Sequence, residues 1–351
     1  MIPAAFAIPG DIDTLTGGYL YEKRLLSGLR DLGHDMQHLE LPASFPDAGP
    51  DDMAHAVGML RYLDPARPLI LDGLVSGAID PAGLATVRAP VIAMVHHPLA
   101  EESGLSAARR AQLLQTEREN LRLSRHVLVP SPHTRRILID RYDVRPAKIT
   151  VARPGVDKTR LPRAPVSPPL ILSVGILHPR KGHDVLIAAL RRIAHLDWQA
   201  VIVGNPWDRS HATALQDMVS ASPVAERIQL AGRRVGDTRL RRLYARASVF
   251  ALATRYEGYG IVFDEALLNG LPVVSCDTGA VPETLPSGTR LLTPTDDPAA
   301  FATALENLLS DGALRERLTL AAETAGQALP DWRDTATTAS KVIAAVAGSE
   351  R

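Results

Sequence analysis

Twice along its length the chain runs through the same alternation, a short apolar run followed by apolar residues at helical spacing. In the first half the runs are AAFAI (4–8), PLILD (68–72), PVIAMV (90–95) and HVLV (126–129). Between them, YLYEKRLLSGLRDLG (19–33) carries Leu20, Leu25, Leu26 and Leu29 on one face and ends in glycine, as an amphipathic helix should. LSAARRAQLLQTERENLRL (105–123) reads as a second long helix with arginine over much of its surface. RLPRAPVSPP (160–169) then breaks the pattern; its prolines make it a stiff linker and a domain boundary. After it come strands LILSVG (170–175), QAVIVG (199–204), IQLAG (228–232), VFALA (249–253) and PVVSC (272–276), with helices between, the first over 181–194. This is the pattern of parallel βαβ units. It predicts an α/β chain of two tandem Rossmann-like, doubly wound domains over 1–160 and 161–330. Ligands of such folds bind outside the carboxyl ends of the strands, so the expected site is a cleft that the two domains face.

Composition narrows the partners. Lys+Arg and Asp+Glu balance at 39 each, so nucleic acid is not an expected partner. The balance hides an asymmetry: residues 1–102 hold 6 basic and 14 acidic side chains, residues 103–163 hold 14 and 5. The single cysteine, Cys276, excludes an internal disulfide framework and a multi-thiolate zinc site, and its setting in PVVSC reads as an inert core thiol. No run approaches the ~18 apolar residues needed to span a bilayer, and the N-terminus lacks the basic start of a signal peptide. A cytoplasmic protein is expected.

Four stretches carry chemistry. In RYEGYGIVFDEALL a strand runs into a turn with Glu257, Gly258 and Gly260, and a helix is expected to open near Tyr259. The N–H groups and positive end of that helix make an anion site. At ~1.5 Å per residue Glu257 and Glu265 would lie roughly 12 Å apart. That is too far for a hydrolytic carboxylate pair and suits a ligand with a phosphate between two hydroxyl-bearing ends. The bland alternative is a solvated Glu265 and a Glu257 that only complements the helix dipole. In SVGILHPRKGHDVLIAAL, Arg180 and Lys181 follow a strand end, placed either to neutralise a diphosphate or simply to sit in solvent as capping-loop charges. Gly17 and Gly18 open the first helix and by themselves mark a turn. His96 and His97 follow a strand end, where histidine serves structure, hydrogen-bonds a hydroxyl or moves a proton. No H-E-x-x-H and no carboxylate–histidine grouping at metal spacing is visible, and Asp11-x-Asp13 is a pattern common by chance.

EGYGIVFDEAL resembles the Glu-x7-Glu signature of the retaining GT-B glycosyltransferases of family four. It stands in register with GRRVGDTRLRRLYARASVFALATRYEG before it and NGLPVVSCDTGAVPETL after it. SVGILHPRKGHDVLIAAL is similar to that family's diphosphate-binding segment, TGGYLYEKRLLSGLRDLGHDM to its first glycine-rich turn, and ITVARPGVD to the segment before its interdomain linker. DWRDTATTASKVIAAV resembles its last helix, which implies that 331–351 crosses back to the N-terminal domain. The resemblance implies a hexosyltransferase of glycan biosynthesis that uses a UDP- or GDP-type sugar, acts with retention and needs neither metal nor cofactor. Glu265 would hold the ribose hydroxyls. Glu257 and the backbone from Gly258 through Tyr259 and Gly260 to Ile261 would face the donor sugar and phosphates. Lys181 and Arg180 would clamp the diphosphate, His96 would contact the donor sugar, and Gly17 and Gly18 would let the first helix approach the reaction centre. Many members carry arginine where this chain has Ile176; either Arg180 supplies that charge or the diphosphate is held less tightly. The acceptor would be a glycan, a lipid-linked sugar or a small molecule. Arg109, Arg110, Arg118, Arg122 and Arg125 on the 105–125 helix read either as a peripheral contact with anionic lipid at the inner membrane face or as a solvated face. A nucleotide-sugar epimerase of the same fold and a non-catalytic sugar-nucleotide-binding protein are the alternatives.

Overall fold

The computed structural model describes residues 1–102, 104–231 and 237–348. Gly232, the end of the expected 228–232 strand, and the four residues after it lie outside the described residues. The chain divides into two units, Met1–Gly155 with Pro330–Arg351, and Val156–Leu329.

The first unit runs β1 (Pro3–Pro9), α1 (Gly17–Asp31), β2 (Asp35–Leu41), α2 (Pro50–Arg61), β3 (Leu69–Asp72), α3 (Gly73–Ser76), α4 (Pro81–Leu84), β4 (Val91–Met94), α5 (Ala107–Leu123), β5 (His126–Val129), α6 (Pro132–Tyr142) and β6 (Ile149–Val151). All six strands are parallel, in the order β2-β1-β3-β4-β5-β6. The strand order reverses at β1/β3, the switch point at which loops splay apart and leave room for a ligand. The central strands are buried on both faces, which is why they appear in the sequence as unbroken apolar runs.

The second unit runs β7 (Leu170–Val174), α7 (His183–Arg192), β8 (Gln199–Val203), α8 (Arg209–Ser220), β9 (Ile228–Ala231), α9 (Asp237–Arg246), β10 (Val249–Leu252), α10 (Ile261–Leu268), β11 (Val273–Cys276), α11 (Val281–Thr284), β12 (Arg290–Thr293), α12 (Pro298–Ser310) and α13 (Gly312–Gln327). Its parallel sheet has the order β12-β11-β10-β7-β8-β9, with the switch point at β7/β10. One core, around Trp198, Leu190 and Phe301, covers one face, and a second, around Phe250, Phe263 and Leu267, covers the other. Cys276 is buried at the end of β11, and burial pushes its thiol up to about 11.

Helix α14 (Trp332–Gly348) returns to the first unit and packs on α1 and β5. The unit boundary falls at Gly155/Val156, a few residues before the one expected at 160/161. The proline-rich segment is not a free linker. The Ala164 and Val166 amides donate to the Ala245 and Arg246 carbonyls, and Val166 packs against the second core.

Helix α5 turns Leu113 and Leu121 into the core of its own unit. Arg109 bonds Asp47 and the Pro46 carbonyl, Arg110 donates to the Ala100 carbonyl at 2.9 Å, and Arg118 pairs with Asp143. The buried leucines of α5 are thus taken up by the core of their own unit, Leu121 against β4 and β5 and Leu113 against Leu99 and Ala100. Among the described residues no helix is long and apolar enough to cross a membrane.

Candidate functional site

In the second unit the loops after β7 and β10 meet at the switch point. Residues Pro179–Lys181 form a single 3-10 turn ahead of α7, so Lys181 precedes the helix rather than opening it. Gly182 then takes φ +63°, and a Cβ there would stand 1.9 Å from the Ala253 carbonyl oxygen. Glycine alone lets the two loops touch. The Arg255 amide donates to the Arg180 carbonyl at 2.8 Å, and the Arg255 guanidinium bonds Asp184 at 2.7 Å and Asp296 at 2.7 Å, locking the loops together.

Glu257 lies under this contact, with its side chain 6% exposed. Its Oε1 is 2.5 Å from Lys181 Nζ and 3.1 Å from the Thr254 hydroxyl, and its Oε2 is 3.7 Å from the Arg180 guanidinium. Burial pushes its carboxyl up, but the charges of Lys181 and Arg180 and the hydrogen bonds from Lys181 and Thr254 outweigh burial and hold it below its usual range. The carboxylate is thus turned onto the two cations. Two cations against one carboxylate leave a net positive charge beyond the ends of β7 and β10.

Helix α10 opens beside this charge, at Ile261 rather than Tyr259. Its N-cap is Gly260 at φ +93°, where a Cβ would collide with the Phe263 ring at 2.5 Å. Gly260 offers no side chain to the opening N–H groups, so the positive end of α10 has no side-chain cap. Residues 257–260 are not helical, so the 12 Å spacing expected from helical rise does not apply to Glu257 and Glu265. Glu265 is half-buried on α10, and its Oε2 accepts from the Tyr244 hydroxyl at 2.7 Å. Tyr259 turns inward, donating to Asp264 at 2.5 Å. Gly258 is buried and Ile261 half-exposed.

The first unit builds a different group at its own switch point. Glu22 on α1, Asp72 at the end of β3 and His96 after β4 offer ligand atoms that all lie within 4.8 Å of one another. The grouping was invisible as local spacing because its members come from three separate loops and helices. His96 Nε2 is 3.4 Å from Glu22 Oε1, and Asp72 Oδ1 accepts the Leu74 amide at 2.9 Å. Burial pushes Glu22 up to about 7 and Asp72 well above its usual range; a hydrogen bond joins the two carboxyls. That bond needs a proton between them, which is the arrangement of an acid pair. Burial lowers His96, against the pull of Asp72. The Tyr21 ring meets the imidazole edge-on at 5.3 Å between centroids. Gly18 stands beside this ring: its Cβ would make an ordinary 3.6 Å contact, and one on Gly17 would meet nothing, so packing requires neither glycine. His97 pairs instead with Glu102 at 3.0 Å. Asp11 accepts the Asp13 amide, and Asp13 pairs with Lys23.

Glu22, Asp72, Thr254 and Tyr244 were not singled out from sequence. Glu22 had a signal: it shares the α1 stripe of Leu25, Leu26 and Leu29, where a carboxylate is out of place.

Two parallel Rossmann-like units, each with chemistry at its switch point, define the GT-B class of glycosyltransferase fold. Sucrose-phosphate synthase from Thermosynechococcus elongatus superposes over 99% of this chain and 100% of its own, with a TM-score of 0.84 and 20% identity. Anabaena HepE in complex with UDP and glucose superposes over 98% of this chain and 100% of its own, with a TM-score of 0.78 and 16% identity. The family description "Glycosyltransferase Family 4" matches residues 37–160 and "Glycosyl transferases group 1" matches 168–311, which together take in most of the chain. The chain belongs to the family-four glycosyltransferases. A D-inositol 3-phosphate glycosyltransferase of Kineococcus radiotolerans is 30% identical over 52% of this chain and 48% of its own. A GDP-mannose-dependent phosphatidylinositol monomannoside mannosyltransferase of Mycolicibacterium smegmatis is 36% identical over 41% of this chain and 39% of its own. The chain spans about half the length of the curated relatives it matches.

Proposed function

We propose that this protein transfers a sugar from a nucleotide-diphosphate sugar to an acceptor hydroxyl, with retention at the anomeric carbon and without a metal. The observation that carries this reading is the Arg180–Lys181 pair held over one buried carboxylate beside the uncapped start of α10. Preorganised cations and N–H groups of this kind stabilise a leaving diphosphate. The bond from the anomeric carbon to the phosphate oxygen breaks, the acceptor oxygen bonds the same face, and its proton passes to the departing phosphate. In this reading Lys181 and Arg180 take the developing charge, Glu257 holds Lys181 in place, and Glu265 with Tyr244 receives the ribose. The α10 backbone at Ile261 lies against the phosphates, and His96 recognises a sugar hydroxyl.

The relatives' names, inositol phosphate and a phosphatidylinositol mannoside among them, support a polyol or lipid-linked acceptor. A solvated role for α5 is better supported than lipid docking, because Arg109, Arg110, Arg118 and Arg122 have partners within their own unit; co-sedimentation with anionic vesicles decides this. A thermal-shift screen of UDP, GDP, ADP and their sugars tests the donor. A stabilising nucleotide whose effect disappears in Glu265→Ala supports the reading, and no stabilisation by any of them overturns it. Product anomer by proton NMR, and turnover in excess chelator, test retention and metal independence.

A further inference from the structure

The acid pair behind His96 is not used by the transfer scheme above, yet its bonding is directional. Asp72 spends Oδ1 on the Leu74 amide. The bond between the two carboxyls holds Asp72 up and Glu22 down, the direction expected where Asp72 carries the shared proton. Glu22, 1% exposed, has its Oε1 3.4 Å from His96 Nε2. An imidazole that donates from Nε2 is neutral only with Nδ1 unprotonated. No protein group among the described residues bonds Nδ1, and the His96 side chain is 23% exposed. The other ionisable groups packed around the cluster do not compete for this proton. The Tyr19 hydroxyl donates to the Pro9 carbonyl and the Tyr21 hydroxyl to the Ala152 carbonyl, burial holds both far above their usual range, and Asp11 is at the surface.

We propose that Glu22 and Asp72 are positioning residues for His96: Asp72 donates its carboxylic proton to Glu22, Glu22 accepts the Nε2–H, and the ring presents Nδ1 as an acceptor to a substrate hydroxyl. The last step rests on the transferase reading; the bonding chain does not. The cluster places the ring in one tautomer and one orientation before any substrate arrives. Glu22 and Asp72 need not touch substrate to do this, and their charge state reaches it only through the imidazole.

The test is nitrogen NMR of the full chain labelled at histidine, with His96 assigned from a His96→Gln variant. The expected wild-type signal is the neutral Nε2–H tautomer, held from about pH 6 to 8, the window in which an ordinary histidine changes charge and mixes tautomers. Glu22→Leu removes the acceptor and should release the tautomer, and Glu22→Gln, which keeps an acceptor oxygen, should restore it. A wild-type ring protonated at Nδ1, or a tautomer unchanged in a folded Glu22→Leu, overturns the proposal. The wild-type spectrum decides even where the leucine variant does not fold. Failure of every nucleotide to bind would sink the transferase reading and leave this result standing, so the two failures are distinguishable.

Discussion

Each unit buries one glutamate at its switch point, and the two are driven in opposite directions. Glu22 faces Asp72 and a histidine, and burial raises it to about 7; Glu257 faces Lys181 and Arg180, and their charges hold it below its usual range. Desolvation is the largest influence in both. The sign of the neighbouring charge decides which group keeps its proton. One fold thereby supplies a proton-holding site in the first unit and a cation-ordering carboxylate, held below its usual range, in the second.

The contrast can be broken most severely through the backbone. Gly182→Ala drives a Cβ into the Ala253 carbonyl at a positive φ, and should cost the second unit about 5 kcal/mol or more in urea unfolding. Gly17→Ala meets nothing within 4 Å and should change stability by less than about 0.5 kcal/mol. Next in size, Glu257→Ala leaves Lys181 and Arg180 without their carboxylate in a site largely closed to water. A loss of about 3–5 kcal/mol is expected, together with slowed transfer.

Stability measured against pH sharpens the comparison. Between about pH 4.5 and 7 an unfolded Glu22 ionises while the folded one keeps its proton, so its contribution falls as pH rises and levels off above 7. Its slope is at most about 1.4 kcal/mol per pH unit, and Glu22→Gln should abolish it. Glu257 has the opposite sign: its contribution is complete above the unfolded carboxyl value and disappears as pH falls through its lower folded value. Equal slopes in wild type and Glu22→Gln would refute the raised Glu22 carboxyl. A smaller effect than that of either buried glutamate is expected of Tyr244→Phe, which removes the 2.7 Å bond to Glu265. About 1 kcal/mol, or a several-fold loss of nucleotide affinity by calorimetry, should follow.

Much of this was legible in the sequence, and the gaps have a physical pattern. The central strands appear as unbroken apolar runs because helices cover both faces. The strands left unread, β2, β6 and β12, are all sheet edges. The burial of β2 is patchy along DMQHLEL, so polar residues interrupt it, and β6 is three residues long. Arg180, Lys181, Glu257 and the turn glycines were visible as a motif because a strand end and a helix start bring them together locally. What each side chain does was less legible. Glu257 proved to be turned onto Lys181, and the Glu22–Asp72–His96 group needed three crossovers of the chain to assemble. The arginines of α5 are a surface feature, as read, but the sequence did not show that several are paired there, with Asp47, the Ala100 carbonyl and Asp143.

The return of α14 to the first unit has a consequence for biosynthesis. The segment from Val156 to Leu329 is continuous and can finish folding as soon as it has left the ribosome, whereas the first unit, although translated earlier, waits for its last helix. Until Trp332 reaches the edge of Tyr21 and α14 covers α1, the face of α1 that α14 packs on stays open. The unit whose first strands are translated earlier is therefore completed after the one that follows it, and a chain halted before Trp332 would hold a finished second unit and a first one with the α14-facing flank of α1 uncovered.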